Sequence, residues 1–147
     1  MKKKKKIYFE IMAIVLIAIF CISLTPKTLQ NDTFYTIKIG EHIIGERGID
    51  MVDPFSWHEN LEYTYPHWLY DVIIYLIYSF GDMVGIYIST CIFSIILGIS
   101  IYKVNSKLNK NKVLSFAITI GAMYLLKDYI TARAQLVTFI LFTIQLY

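Results

Sequence analysis

The sequence predicts an all-α membrane protein: transmembrane helices with a large first external loop that contains short membrane-parallel helices, reading as part of a larger helical bundle. Three observations predict it. The hydrophobic fraction of the 147 residues is 56%, above the usual soluble share of about 45–50%. The apolar residues gather into long runs separated by short polar ones, the pattern of spans rather than of a globular core. The charge is also segregated, so the formal +3 is misleading as one number. Lysines occupy positions 2–6, and Lys103, Lys107, Lys110 and Lys112 form a second basic cluster. Between them, over 25–67, seven carboxylates (Asp32, Glu41, Glu46, Asp50, Asp53, Glu59, Glu62) stand against Lys27, Lys38 and Arg47, a formal −4. A nucleic-acid binder gathers its basic residues on one surface beside stacking aromatics. Here the lysines flank apolar segments, which excludes that class and marks membrane topology.

Ile7–Leu24 is the first span, just long enough at about 20 residues per crossing. Glu10 lies in its first turn, within reach of Lys6. A cleaved signal peptide also has a basic start and an apolar middle. No small-x-small site follows this run, however, and Phe20 spoils a lipoprotein-type site at Cys21. Residues 83–102 form the clearest span, without a charge. Residues 113–126 form a shorter one, and 136–147 begin a fourth. Cys21 and Cys91 sit deep in apolar runs without metal-type spacing and read as packing residues with free thiols.

The segment 68–80, WLYDVIIYLIYSF, decides the topology. If it spans, the lysines at 103–112 face outside, against the positive-inside tendency. If it lies flat, they share the cytoplasmic side with lysines 2–6. Asp71, Tyr75, Tyr78 and Asp82 recur at i, i+4, i+7 and i+11, one polar stripe on an otherwise apolar helix. The interfacial helix is therefore favoured over a short span. The layout is then a cytoplasmic N-terminus in the plasma membrane, a first span, the external loop 25–67, the interfacial helix and further spans.

That loop, with its stretch MVDPFSWHENLEYTYPHWL, is folded rather than slack. NDTFYTIKIGEHIIGERG predicts a short helix with Asp32 or Thr33 as N-cap, ended by Gly45 and Gly48. Asp53-Pro54 marks a turn or extended segment. His42, His58 and His67 among so many acids invite a metal site, but no pair has the tight spacing of a zinc motif. Neither a metal nor any other cofactor is expected, although a divalent ion stays open. Asp32 is held near the surface by the preceding span, and Pro54 restricts the backbone that aims Asp53. Either carboxylate could take the proton of an attacking hydroxyl.

Taken together, NDTFYTIKIGEHI after the first span, DPFSW, the aromatic HWL, an amphipathic helix ending at Phe80-Gly81, and ARAQL before a later span resemble a known pattern. They are similar to the N-terminal part of the bacterial polytopic GT-C-type glycosyltransferases. The nearest branch is that of the Rgt-type galacturonosyltransferases, distantly related to protein O-mannosyltransferases and the aminoarabinose transferase. The resemblance covers 7–147. It implies transfer of a sugar from a polyprenyl-phosphate donor to a cell-envelope glycan or lipid acceptor by inverting displacement. It also implies Asp32 as base, Asp53 in a structural or acceptor-positioning role, and Arg133 and Gln135 on the donor phosphate. Arg133 also fits simple interfacial snorkelling. This chain departs from the family at Tyr35 and Thr36, where members often carry an aromatic-His pair.

Two other classes remain. A small non-catalytic integral membrane protein, or a truncated remnant, would use the loop for packing or partner binding. A transporter fragment predicts ionisable residues inside the spans, and only Glu10, near one end, qualifies. Because the last apolar run is short, we expect a fragment of a longer reading frame that transfers no sugar by itself. Sequencing beyond the Tyr147 codon tests the first half of that expectation.

Overall fold

The computed structural model describes residues 2–58 and 61–147, with side chains described from Ile7 onward. Lysines 2–6, as side chains, and Glu59 lie outside the described residues. The described chain is helical: α1 Lys2–Leu24, α2 Asn31–Glu46, α3 Trp68–Leu108, α4 Lys112–Leu125, a 3-10 turn Lys127–Tyr129, and α5 Ala134–Gln145. Among the described residues two helices are long and apolar enough to cross a membrane, Ile7–Leu24 and Trp68–Leu108, with mean hydropathies of 2.6 and 2.2. The chain divides into two compact units, Met1–Thr28 with Tyr87–Tyr147, and Leu29–Ile86.

In the first unit, α1, α4, α5 and the later part of α3 share a core of Ala13, Ile17, Cys21, Leu97, Tyr102, Met123, Ile130, Leu136 and Ile140. Gly98 lets α1 come close: a Cβ there would lie 2.7 Å from Cys21 Sγ and 2.9 Å from Ile17 Cγ2. A small residue at such a crossing lets two helix backbones approach closely. Both cysteines are free and buried. On the outward side of α1, Ile11, Val15, Ile19 and Ile22 are exposed.

A polar ladder joins the end of α3 to α4. Asn105 Nδ2 donates to Thr119 Oγ1 at 3.1 Å, Thr119 donates to the Ser115 carbonyl at 2.8 Å, and Ser115 Oγ lies 3.1 Å from the carbonyls of Asn105 and Asn111. Asn111 caps α4, its Oδ1 accepting from Val113 N and Leu114 N, which is worth about 1 kcal/mol. The second lysine cluster is less of a loop than expected. Helix α3 runs on to Leu108, because lysine is a good helix former and its charge complements the C-terminal carbonyls. Glu10 pairs with Lys112 at 3.2 Å, while Lys6, its expected partner, lies outside the described side chains.

The second unit is built on α2 and the first part of α3. Its cluster is Ile39, Ile43 and Tyr65, with Tyr63 and Val72 against it. The segment between the helices doubles back through an antiparallel bridge, Val52 to Glu62, flanked by Asp53 N to Leu61 O at 2.9 Å and Tyr63 N to Met51 O at 3.0 Å. Helix α2 starts after Gln30, which makes no side-chain cap, so Asp32 is a first-turn residue and not the cap. There its carboxylate still complements the helix dipole. The end also differs from expectation: Arg47, at φ 55° and ψ 28°, takes the left-handed C-cap that the sequence suggests for a glycine. Asp82, at φ 51° and ψ −150°, breaks α3. The corner is tight, since a Cβ on Gly85 would lie 2.9 Å from the Ile77 carbonyl oxygen.

Candidate active site

Helix α2 lies across the start of α3, and glycine makes that possible. A Cβ on Gly40 would sit 2.2 Å from the Asp71 carbonyl oxygen and 2.7 Å from Tyr75 Cβ. Of the polar stripe, Asp71, Tyr75 and Tyr78 therefore face α2 rather than water, whereas Asp82 is exposed at the break. Asp71 is 1% exposed, and Tyr75 and Tyr78 are half-buried. The open face of residues 68–81 is the apolar one, carrying Leu69, Ile73, Leu76 and Phe80.

Burying Asp71 requires compensation. His67 Nδ1 lies 2.8 and 3.0 Å from its two carboxylate oxygens, and the Thr36 side chain adds a hydrogen bond. The His67 side chain itself is 43% exposed. A buried carboxylate on Nδ1 holds the ring while part of the side chain stays open, an arrangement that can orient a general base. Sequence reading misses this pair. Its only signal is the i, i+4 spacing of His67 and Asp71 at a helix start, which fits two interfacial residues equally well.

Asp32 is exposed in the first turn of α2. Asp53 is half-buried, and its Oδ1 accepts from Phe55 N at 2.9 Å, so the side chain folds back on its own turn, as Asp before such a bend does. The aromatic loop brings Asp53 toward α2. Tyr35, one turn beyond Asp32, packs its ring 5.7 Å from Phe55 and 6.3 Å from Tyr63. Burial, the Tyr63 hydroxyl and the Asp53 charge all push Tyr35 well above its ordinary pKa. At position 35 this chain thus places a neutral phenol in a ring cluster.

A second polar knot holds the loop. The Tyr65 hydroxyl lies 2.8 Å from the Val52 carbonyl and 3.1 Å from Asp50 Oδ1, while His42 Nε2 is 3.3 Å from Asp50 Oδ2. Desolvation opposes ionisation of Asp50, but Val52 N–H, His42 and Tyr65 outweigh it and hold the carboxyl below its usual range. Burial and the hydrogen bond to Asp50 push Tyr65 up to about 12.

Arg133 and Gln135 belong to the other unit. Arg133 is the N-cap of α5, with φ −130° and ψ 153°, and is half-buried, while Gln135 is exposed on the first turn. Backbone N–H groups at such a helix start favour anions. Among the described residues no group of three His, Cys, Asp or Glu side chains is placed to hold a metal ion. Compared with known proteins, the chain matches no family model, no curated protein and no solved structure.

Proposed function

We propose that this chain serves a membrane glycosyltransferase that moves a sugar from a polyprenyl-phosphate donor to a cell-envelope acceptor with inversion. It would be a multi-pass protein of the plasma membrane with its N-terminus in the cytoplasm. The observation that carries the reading is the Leu29–Ile86 unit. Its amphipathic helix turns a polar stripe to α2 and leaves its apolar face bare. Such a unit suits a bilayer surface, where a donor keeps its tail in lipid and its phosphate in water.

In this scheme an acceptor hydroxyl oxygen attacks the anomeric carbon and passes its proton to the Asp32 carboxylate. The bond from that carbon to the phosphate oxygen breaks, and polyprenyl phosphate leaves with the electron pair. Arg133, with Gln135 beside it, is assigned to the phosphate by the resemblance, a bidentate task suited to guanidinium. Asp53, held by its own turn, positions the acceptor. His67, oriented by Asp71, is the second candidate base.

The test works whichever sugar is carried. Asp32→Asn and Arg133→Ala are placed in the chromosomal gene, and polyprenyl-phosphate sugars are measured in lipid extracts. Loss of a general base slows transfer by about 100-fold or more, so unconsumed donor should accumulate in both variants at normal protein levels. Unchanged donor pools in both would favour the non-catalytic membrane protein.

A further inference from the structure

The opposite charge pattern, in the other unit, has a use that the transferase reading does not absorb. A cavity of about 360 Å³ opens among Glu10, Tyr102, Lys103, Ser106, Lys107 and Lys112, with Ile14 and Tyr147 also in its lining. All of these belong to the unit formed by Met1–Thr28 and Tyr87–Tyr147. Three ammonium groups against one carboxylate make it electropositive. Two of the three are engaged: Lys112 with Glu10 at 3.2 Å, and Lys107 with the Tyr147 carbonyl and, at 4.4 Å, with its ring. Lys103 has no ion-pair partner among the described residues.

Two of the residues that line this cavity carry buried hydroxyls. Tyr102 is 3% exposed, and neither its hydroxyl nor the Ser106 Oγ, both buried, has a hydrogen-bond partner among the described residues. Buried hydroxyls are nearly always satisfied, and one left without a partner calls for a ligand, an ion or water. Two hydroxyl donors and an unpaired ammonium around one electropositive hollow form a set matched to the oxygens of a phosphate group. Basic pockets between helices at a membrane surface take phosphate headgroups by the same logic.

We propose that this cavity is a phosphate-binding site, with Lys103, Tyr102 and Ser106 as donors to the oxyanion and Lys107 and Lys112 supplying the field. The phosphate comes from an anionic lipid headgroup or from a soluble phosphate, and the experiment separates the two. The full chain is reconstituted in phosphatidylcholine nanodiscs with or without phosphatidylglycerol. Retained lipid is counted by native mass spectrometry, and inorganic phosphate is titrated in parallel and followed by phosphorus NMR line broadening.

Lys103→Gln should weaken binding about fivefold, the usual worth of one lysine at an anionic surface. Tyr102→Phe, which removes only the hydroxyl, should weaken it several-fold. Lys110→Gln removes the same charge outside the cavity and should change little. Phosphatidylglycerol retention with this pattern assigns the lipid, and phosphate broadening with this pattern and no lipid preference assigns a soluble phosphate. The proposal is overturned if neither probe binds. It is overturned equally if Tyr102→Phe binds like the wild type, or if Lys110→Gln loses as much as Lys103→Gln, because the lysines would then act only as a diffuse basic surface.

Discussion

Gly40 is the residue on which the Leu29–Ile86 unit turns, and its replacement by alanine gives the sharpest test of the fold. The new Cβ would lie 2.2 Å from the Asp71 carbonyl oxygen and 2.7 Å from both the Asp71 carbonyl carbon and Tyr75 Cβ, whereas ordinary contact begins near 3.4 Å. Two of those atoms are backbone and cannot rotate aside, so α2 has to retreat by about 1 Å. Overpacking costs about 1–3 kcal/mol, and a backbone clash belongs at the top of that range. Alanine returns roughly 1 kcal/mol of helix propensity, leaving a net cost of about 2 kcal/mol. Hydrogen exchange of the amides over 36–44, in detergent or nanodiscs, reads this directly. Local opening should become about 30-fold more populated. Gly45→Ala is the internal control, because nothing lies within 4 Å of its Cβ and it should exchange at the wild-type rate or slower. If Gly40→Ala exchanges like the wild type, or if the two variants accelerate alike, α2 does not rest on α3 through this glycine.

Three further outcomes test the buried pair, the titrating loop and the orientation of the chain. His67→Ala strips the compensating ring from buried Asp71 and should cost roughly 1–3 kcal/mol, whereas Asp71→Asn, which removes the charge too, should cost less; equal losses in thermal unfolding would count against a compensated pair. The Asp50 carboxyl is held below its ordinary value of 3.8, so its contribution is present above about pH 4 and lost as the pH falls through the lowered value. Tyr65, raised from 10 to about 12, contributes fully below pH 10 and loses that contribution as the pH climbs toward 12. Near-UV circular dichroism should show an acid limb blunted by Asp50→Asn and an alkaline limb altered by Tyr65→Phe, and limbs unmoved by these variants would refute the assignment. For orientation, both native thiols are buried and should stay silent to an impermeant maleimide. His58→Cys should then label on intact cells and Lys110→Cys only after permeabilisation, and the reverse pattern would invert the proposed topology.

Helix existence is legible because apolar runs report length, and length separates a span from a core helix. The starts of α4 and of the amphipathic segment fall within a residue of expectation, helped by polar residues before an apolar run. What stays hidden depends on which face meets which. Asp71, Tyr75 and Tyr78 do form a polar stripe, while Asp82, expected as its fourth member, leaves the helix; periodicity gives a stripe and not its neighbour. An interfacial helix implies water as the partner, whereas α2 covers the stripe and buries Asp71. Gly40 is silent in the sequence for the same reason, since a glycine inside a helix declares itself only when a second backbone arrives. Gly45 and Gly48 look like stops, yet Arg47 takes the left-handed position.

The candidate site divides along the same line. Asp32 and Asp53 can be nominated from charge, chain position and proline, because those constraints are local. The turn that ties Asp53 to Phe55 N is local as well. The His67–Asp71 pair is visible as a spacing, but its meaning needs burial. A carboxylate under α2 and a ring reaching outward make an oriented base, while the same two residues on an open helix make a solvated ion pair. The comparison of Asp32 with His67 can therefore be made chemically. If Asp32 is the base, Asp32→Asn slows transfer and His67→Gln does not. If the pair supplies the base, Asp71→Asn should slow transfer along with His67→Gln at normal protein level, because the ring would lose the carboxylate that holds it in place. A structural role for the pair would lower protein level and leave the rate per molecule where it was.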